Sequence, residues 1–117
     1  MGYGNQVDAG IFLDPNRLAQ ECPLRISGTL RNCPNAAHAF FRPESVEVVP
    51  DGIEFVVVSE IFAGAFNRLV LRTVHSDRTV EVLVSADKSF PCGTRVAAKV
   101  SADRITFFGH DGQKASE

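Results

Sequence analysis

Residues 68–84 of this chain, RLVLRTVHSDRTVEVLV, carry the clearest secondary-structure pattern of the sequence. Arg68 and Arg72 stand on one side of a two-residue alternation, and Leu69 and Leu71 stand on the other. Polar residues follow, and a second run then alternates again through valines. Two alternating runs joined by turn residues predict an antiparallel β-hairpin with one buried side and one solvent-facing side.

The same period of two extends over most of the chain. The run 53–61 is apolar at Phe55, Val57 and Ile61 and carries valines on the other parity too, which predicts a central strand covered on both faces. Helix signals are confined to 14–18, where an aspartate cap precedes a proline, and they predict one or two helical turns. Shorter strands are predicted over 24–30, 37–41, 46–49, 95–100 and 105–107.

Length and composition place these elements in one domain. A chain of 117 residues can bury a modest single core, and 44% hydrophobic with 22% charged residues is typical of globular proteins. Prolines separate the candidate strands, and no flexible linker divides the chain. We therefore expect an all-β domain over 1–108, a small barrel or sandwich of short strands with little or no helix, followed by a polar, disordered tail over 109–117.

Charge, hydropathy and cysteine usage exclude several classes of function. A net charge of -2 provides no field to recruit nucleic acid or an anionic membrane. No apolar run approaches the roughly 20 residues of a membrane span. Cys22, Cys33 and Cys92 are odd in number and lack Cys-x-x-Cys spacing, and the histidines stand apart from them. We expect a reducing compartment and no metal site.

The sequence contains no recognisable catalytic constellation. A phosphate-binding loop is absent because no glycine is followed by lysine. The segment 75–77, His-Ser-Asp, holds the residue types of a hydrolase triad, but neighbours in one turn cannot converge on a substrate. The pairs Glu44 with Glu47 and Glu54 with Glu60 are interpreted as strand-face charges that keep the sheet soluble. We expect no catalytic residue in this chain.

A family resemblance begins at the segment 41–46, Phe-Arg-Pro-Glu-Ser-Val. It resembles the Arg-Pro-Glu segment of the TOBE domain, a strand-rich module at the C-terminus of ABC-importer ATP-binding subunits. In that family a strand with a Phe-Leu-Gly-like turn follows, similar to 61–64, and then a hairpin similar to 68–84. The Gly-x-x-Val strand of the family is matched by 93–96, and 2–5 is similar to its opening Gly-x-x-Asn. The matching positions are Gly2, Asn5, Arg42, Pro43, Glu44, Gly64 and Gly93.

The resemblance covers 1–108 and implies an OB-like TOBE fold with a regulatory and dimerising role rather than a catalytic one. ATP and Mg²⁺ would belong to an upstream domain, so we expect this chain to be the end of a longer subunit, with no cofactor of its own. The expected partners are a second copy, the upstream ATPase domain, a membrane permease and a small-molecule effector, at the cytoplasmic face of the membrane. The opening 2–5 is more similar to subunits of polyamine or ferric-iron importers than to those of sugar importers.

Two alternatives stay open. A related branch of the family binds molybdate or tungstate through an entry strand that reads Ser-Ala-Arg-Asn. When the two are aligned on Asn5, this chain has Gly2 in place of the serine and Gly4 in place of the arginine, so it lacks the hydroxyl and basic donors of that strand. In that alignment Asn5 is better explained as a residue that closes a turn.

The other alternative is a barrel that binds single-stranded nucleic acid on aromatic rings. Because the phenylalanines stand in apolar company, as in Phe107-Phe108, we expect core packing and no nucleic-acid partner.

Overall fold

The computed structural model describes residues 4–30 and 35–109 and has 48% of them in strands and 17% in helices. The prediction of an all-β barrel or sandwich is confirmed, because the main sheet curls into a half-barrel beside a small compact globule. Strands, in chain order, are β1 (Asn5–Asp8), β2 (Arg25–Ser27), β3 (His38–Phe41), β4 (Val46–Val49), β5 (Phe55–Ala63), β6 (Phe66–Thr73), β7 (Thr79–Ser85), β8 (Arg95–Ser101) and β9 (Thr106–Phe108). Helices are α1 (Ala9–Phe12), α2 (Pro15–Glu21) and two 3₁₀ turns, Pro43–Ser45 and Ala102–Arg104.

The strands form two sheets. The smaller sheet has the order β1-β3-β9, and all its pairs are antiparallel. The larger sheet has the order β2-β8-β5-β6-β7, with β4 also paired to β8. In this larger sheet β2 runs parallel to β8, while the other pairs are antiparallel. Strand β7 therefore ends the order of the larger sheet, and the small sheet lies beside it.

The hairpin predicted over 68–84 is confirmed as the pair β6–β7. Leu69 stands opposite Val82 and Leu71 opposite Val80, and all four side chains are buried. Their burial is what the alternation of the two runs requires, because alternate residues of a strand face the same side of the sheet. Arg68 and Arg72 lie on the opposite face of the hairpin, which does not face this part of the core.

Strand β5 differs from its predicted form because of a β-bulge. Its register against β6 shifts between Val57 and Ser59, and one extra residue sends the following side chains to the opposite face. Phe55 and Val57, before the bulge, are buried, whereas Ile61 is 54% exposed. The prediction that Ile61 shares the buried face of a strand covered on both sides is therefore wrong beyond the bulge.

Two short helices connect the sheets. Asp14 caps α2 through its side chain, which accepts hydrogen bonds from Asn16 N (3.0 Å) and Arg17 N (3.4 Å), and Pro15 takes the first helical position. The helix predicted over 14–18 is thus confirmed and extends to Glu21. Helix α1, which was not predicted, follows β1 directly and buries Phe12, whose ring meets Phe41 edge to face at 5.8 Å.

The turn before β5 depends on a glycine packed against a neighbouring strand. A Cβ added to Gly52 would lie 2.0 Å from the backbone nitrogen of Ala97 and 2.2 Å from its Cβ. No rotamer change can relieve a contact with the backbone. Only glycine, which lacks a Cβ, therefore allows the turn to approach β8 this closely. Gly64 differs, because the space around it is open and its φ of +76° is what excludes other residues.

Gly52→Ala should therefore destabilise the domain more than Gly64→Ala. We expect Gly52→Ala to lower the free energy of unfolding by about 3 kcal/mol, since the strand must move to admit a methyl group. Gly64→Ala should lower the free energy of unfolding by about 1–2 kcal/mol, because alanine is strained in the left-handed backbone conformation but meets no neighbouring atom there. Urea unfolding of both variants measures the difference, and equal losses would contradict the close approach of Gly52 to Ala97.

Candidate functional site

The Arg42-Pro43-Glu44 segment forms a compact turn against β7. Arg42 is extended, with φ of -81° and ψ of 150°, as expected for a residue that precedes proline. Pro43 is buried and begins the 3₁₀ turn, which is closed by a hydrogen bond from Ser45 N to the Arg42 carbonyl oxygen at 3.0 Å. Arg42 and Glu44 also form an ion pair, with Nη1 and Oε2 4.0 Å apart, and both side chains are mostly exposed. A pair this long and this exposed to solvent contributes little stability and leaves both groups able to find other partners.

This turn forms one wall of a cavity of about 440 Å³, which we call the hairpin groove. Its other wall is the end of the β5–β6 hairpin, together with Leu83 of β7. The groove combines an apolar surface with two guanidinium groups and one carboxylate. Its lining residues are Arg42, Pro43, Glu44, Ile61, Ala63, Arg68 and Leu83.

Charges in the hairpin groove are balanced by neighbours. Arg68 of β6 forms an ion pair with Glu81 of β7, and both side chains are about one-third exposed. Because Val70 stands opposite Glu81 in the register, the pair crosses the hairpin diagonally. Any anion that enters the groove must therefore compete with Glu44 for Arg42 and with Glu81 for Arg68.

Asn5 connects the small sheet to the edge of the larger one. Its Nδ2 donates to the carbonyl oxygen of Glu81 at 2.9 Å, and the N–H of Glu81 donates to its Oδ1 at 2.7 Å. The side-chain amide thus replaces one peptide group of a neighbouring strand, and the side chain is 7% exposed. Asn5 does not close a turn, so that interpretation is wrong; it lies in β1 and binds β7.

The structure brings together only some of the predicted site residues. Arg42, Pro43 and Glu44 share the hairpin groove, and Gly64 follows the groove residue Ala63 in the two-residue loop of the β5–β6 hairpin. Asn5 reaches the same region indirectly, through the backbone of Glu81. Gly93 does not line the groove; its N–H donates to the Val57 carbonyl oxygen at 2.8 Å, ahead of β8. Gly2 lies outside the described residues.

Three apolar side chains at the end of the β5–β6 hairpin were not predicted to be exposed. Phe62 is 69% exposed, and Phe66, beside Ile61 in the hairpin, is 50% exposed. Of the phenylalanines that were expected in the core, Phe41 and Phe107 are buried, whereas Phe40 and Phe108 are only partly buried. Phe62 and Phe66 stand on either side of Gly64-Ala65, and the symmetry of this Phe-Ala-Gly-Ala-Phe run is the sequence signal that could have identified a hairpin loop.

The carboxylates considered as acid–base pairs have separate structural partners. Glu54 accepts from Ile53 N at 2.7 Å and from Arg25 Nε at 3.0 Å. Although burial raises the pKa of Glu54, these hydrogen bonds and the arginine charge outweigh it and hold the pKa below its usual value. Glu60 accepts from Phe90 N at 2.9 Å instead.

The cysteines and the His-Ser-Asp segment also have structural surroundings. Burial raises the pKa of the Cys22 thiol to about 11, against the opposing effect of the Arg78 guanidinium, so the reactive thiolate is disfavoured. Ser76 donates to the Glu21 carbonyl oxygen at 3.0 Å, which ties the turn to α2. Cys33 lies outside the described residues. Within the described residues, no cluster of three or more His, Cys, Asp or Glu side chains could hold a metal ion, and no helix is long and apolar enough to cross a membrane.

No protein-family model matches this chain, and no match was found among the curated proteins. The groove and the contacts around it are therefore the observations on which a functional proposal can be based.

The bidentate contact of Asn5 predicts a pH-dependent phenotype for Asn5→Asp. The new carboxylate would face the Glu81 carbonyl oxygen where the amide nitrogen now donates, so it is tolerated best when protonated. The folded state then raises its pKa above the unfolded value of about 3.9, and the stability it contributes is present at low pH and lost as pH rises. We expect a loss of about 2–4 kcal/mol at pH 7.5 and a smaller loss at pH 4.5, relative to the wild type at each pH.

Asn5→Ala is the matched control for this experiment. It removes both hydrogen bonds without adding a titratable group, so its loss in urea unfolding should be the same at pH 4.5 and pH 7.5. If Asn5→Asp behaved like Asn5→Ala at both pH values, the amide nitrogen would not be the donor to Glu81.

Proposed function

We propose that this chain is the non-catalytic C-terminal regulatory and dimerisation domain of an ABC-importer ATP-binding subunit. The observation that carries the proposal is the hairpin groove. In it, the Arg42-Pro43-Glu44 turn lies beside the hairpin that closes at Gly64, so two separate motifs of the resemblance meet at one surface. In this proposal an upstream domain binds ATP and Mg²⁺, and a permease anchors the subunit at the cytoplasmic face of the membrane.

The contacts around the groove suggest how such a domain would respond to an effector. Arg68 and Glu81 join two strands of the hairpin, and the backbone of Glu81 binds Asn5 in the small sheet. A small molecule with an apolar body and an anionic group would pack on Leu83 and draw on the arginines. It would stabilise the arrangement of the two sheets to which it binds more tightly. A difference in affinity between two arrangements is sufficient for regulation.

The native polypeptide provides the direct test of this proposal. An antiserum raised against this chain should detect, in cell extracts, a polypeptide much larger than 12.7 kDa. Immunoprecipitates should hydrolyse ATP, and part of the polypeptide should sediment with membranes through its permease. A native polypeptide of about the size of this chain, in precipitates without ATPase activity, would overturn the proposal.

Binding of a small oxyanion is a second candidate function, favoured by the presence of Arg42 and Arg68 in one cavity. The Asn5 amide would take no part in this site, since both of its polar atoms are bonded to Glu81. Two guanidinium groups can bind a tetrahedral oxyanion if it displaces their carboxylate partners.

Titration with molybdate, tungstate and sulfate tests this second candidate. Ligand binding to the folded state should raise the melting temperature, and the rise should be lost in Arg42→Ala. Ile53→Ala, a change to an exposed residue outside the groove, should keep the full rise. The absence of a shift at millimolar anion concentrations would exclude the oxyanion function.

A further inference from the structure

The second half of β5 has one edge that no described strand covers. Strand β5 pairs with β6 along its whole length, but it pairs with β8 only at Phe55 and Val56. Val57 extends that contact to the loop before β8, because its N–H donates to the Thr94 carbonyl oxygen at 2.9 Å and its carbonyl oxygen accepts from Gly93 N at 2.8 Å. From residue 59 to residue 63 the described part of the chain provides no further backbone partner on this side. We call 59–63 the open edge.

The geometry of the hairpin identifies which backbone groups the open edge presents. Ala63 and Phe66 close a two-residue loop, and the closing pair of such a loop exchanges both hydrogen bonds. Alternation along the strand then directs the backbone N–H and carbonyl groups of Glu60 and Phe62 away from β6. Two donors and two acceptors, spaced as in a strand, are therefore available for pairing.

The side chains of the open edge lack the usual protection against pairing. Natural edge strands carry lysine, proline or outward charges that prevent association. Here Glu60 is the single charged residue, and its carboxylate is held by Phe90 N and by the Ser89 hydroxyl. Apolar side chains flank the open edge on both faces instead: Ile61 and Phe66 are exposed on one face of the hairpin, and Phe62 is exposed on the other, because successive residues of a strand alternate between faces.

We propose that the open edge of β5 pairs antiparallel with the open edge of a second copy of this chain, which joins two larger sheets across a two-fold axis. This inference rests on the self-association included in the proposed function and locates its surface. Antiparallel pairing of a strand with itself is symmetric, so the same edge serves both copies. With Ile61 at the axis, the outward backbone groups of Glu60 meet those of Phe62 in the other copy, and the two Glu60 side chains do not stand opposite each other.

The area involved predicts a weak dimer. A standard interface buries about 800 Å² on each partner, and three exposed apolar side chains divided between the two faces supply less than that. Four intermolecular backbone hydrogen bonds add to it, and a net charge of -2 per copy opposes association only slightly. An interface below the standard size is typical of weak, transient association, so we expect a dissociation constant between about 1 µM and 1 mM.

Sedimentation equilibrium of the full chain from 1 µM to 1 mM tests the pairing. The wild type should pass from monomer to dimer within this range, and Phe62→Lys and Ile61→Lys should each raise the dissociation constant at least 10-fold. Ile53→Lys is the matched control, because Ile53 is an isoleucine even more exposed (68%) than Ile61 and lies outside the open edge, and it should leave the constant unchanged within twofold. A monomer throughout the range, or equal effects of all three substitutions, would overturn the proposal.

Amide hydrogen exchange separates strand pairing from side-chain contact alone. The amides of Glu60 and Phe62 should gain protection as concentration rises through the dimerisation range, whereas those of Ile61 and Ala63 should be protected throughout by β6. Protection of Glu60 and Phe62 that does not depend on concentration would mean that the chain covers its own edge, and would overturn the proposal. If the chain is monomeric but the native polypeptide is found to belong to an ATPase, the edge pairing is wrong and the proposed function stands.

Discussion

The two hydrogen bonds between Asn5 and the backbone of Glu81 are the contact on which the arrangement of the sheets depends. Strand β7 is the last strand of the larger sheet, and its outer N–H and carbonyl groups need partners if they are buried. Asn5 supplies one donor and one acceptor in the spacing of a peptide group. Because β1 pairs with β3, and β3 with β9, this side chain joins the whole small sheet to the large one by hydrogen bonds, beside the hydrophobic core that both sheets share.

The same contact determines the surroundings of the hairpin groove. The backbone of Glu81 is held by Asn5 while its carboxylate pairs with Arg68, so the position of the small sheet and the charge balance of the groove are linked through one residue. The Arg42-Pro43-Glu44 turn completes the groove from the loop after β3. Among the residues that carry the resemblance to the TOBE domain, Asn5 and Pro43 are thus buried structural residues, and Arg42 and Glu44 are exposed charged residues.

The β-bulge in β5 gives the two edges of the hairpin sheet different properties. Before the bulge, β5 is buried and paired on both sides; beyond it, the strand projects with apolar side chains on its exposed surface. On edge strand β7, Asn5 bonds the N–H and carbonyl groups of Glu81, whereas the open edge of β5 directs its groups outward. A protein that protects one edge and leaves the other unprotected has a defined direction for association, which agrees with the regulatory and dimerising role that we propose.

The sequence alone determined the strands, because the alternation of Leu69, Leu71, Val80 and Val82 reflects only which side of a strand faces the core, a property of neighbouring residues. The first turns of α2 were predictable for the same reason, since Asp14 and Pro15 act within one turn of the helix. The partner of Asn5, by contrast, lies 76 positions away and is set by the packing of the two sheets. Tertiary packing also sets the exposure of Ile61, because a bulge depends on how two strands fit and leaves no periodic signal. Long-range pairing is set by the packing of the whole chain, and a local pattern cannot contain it.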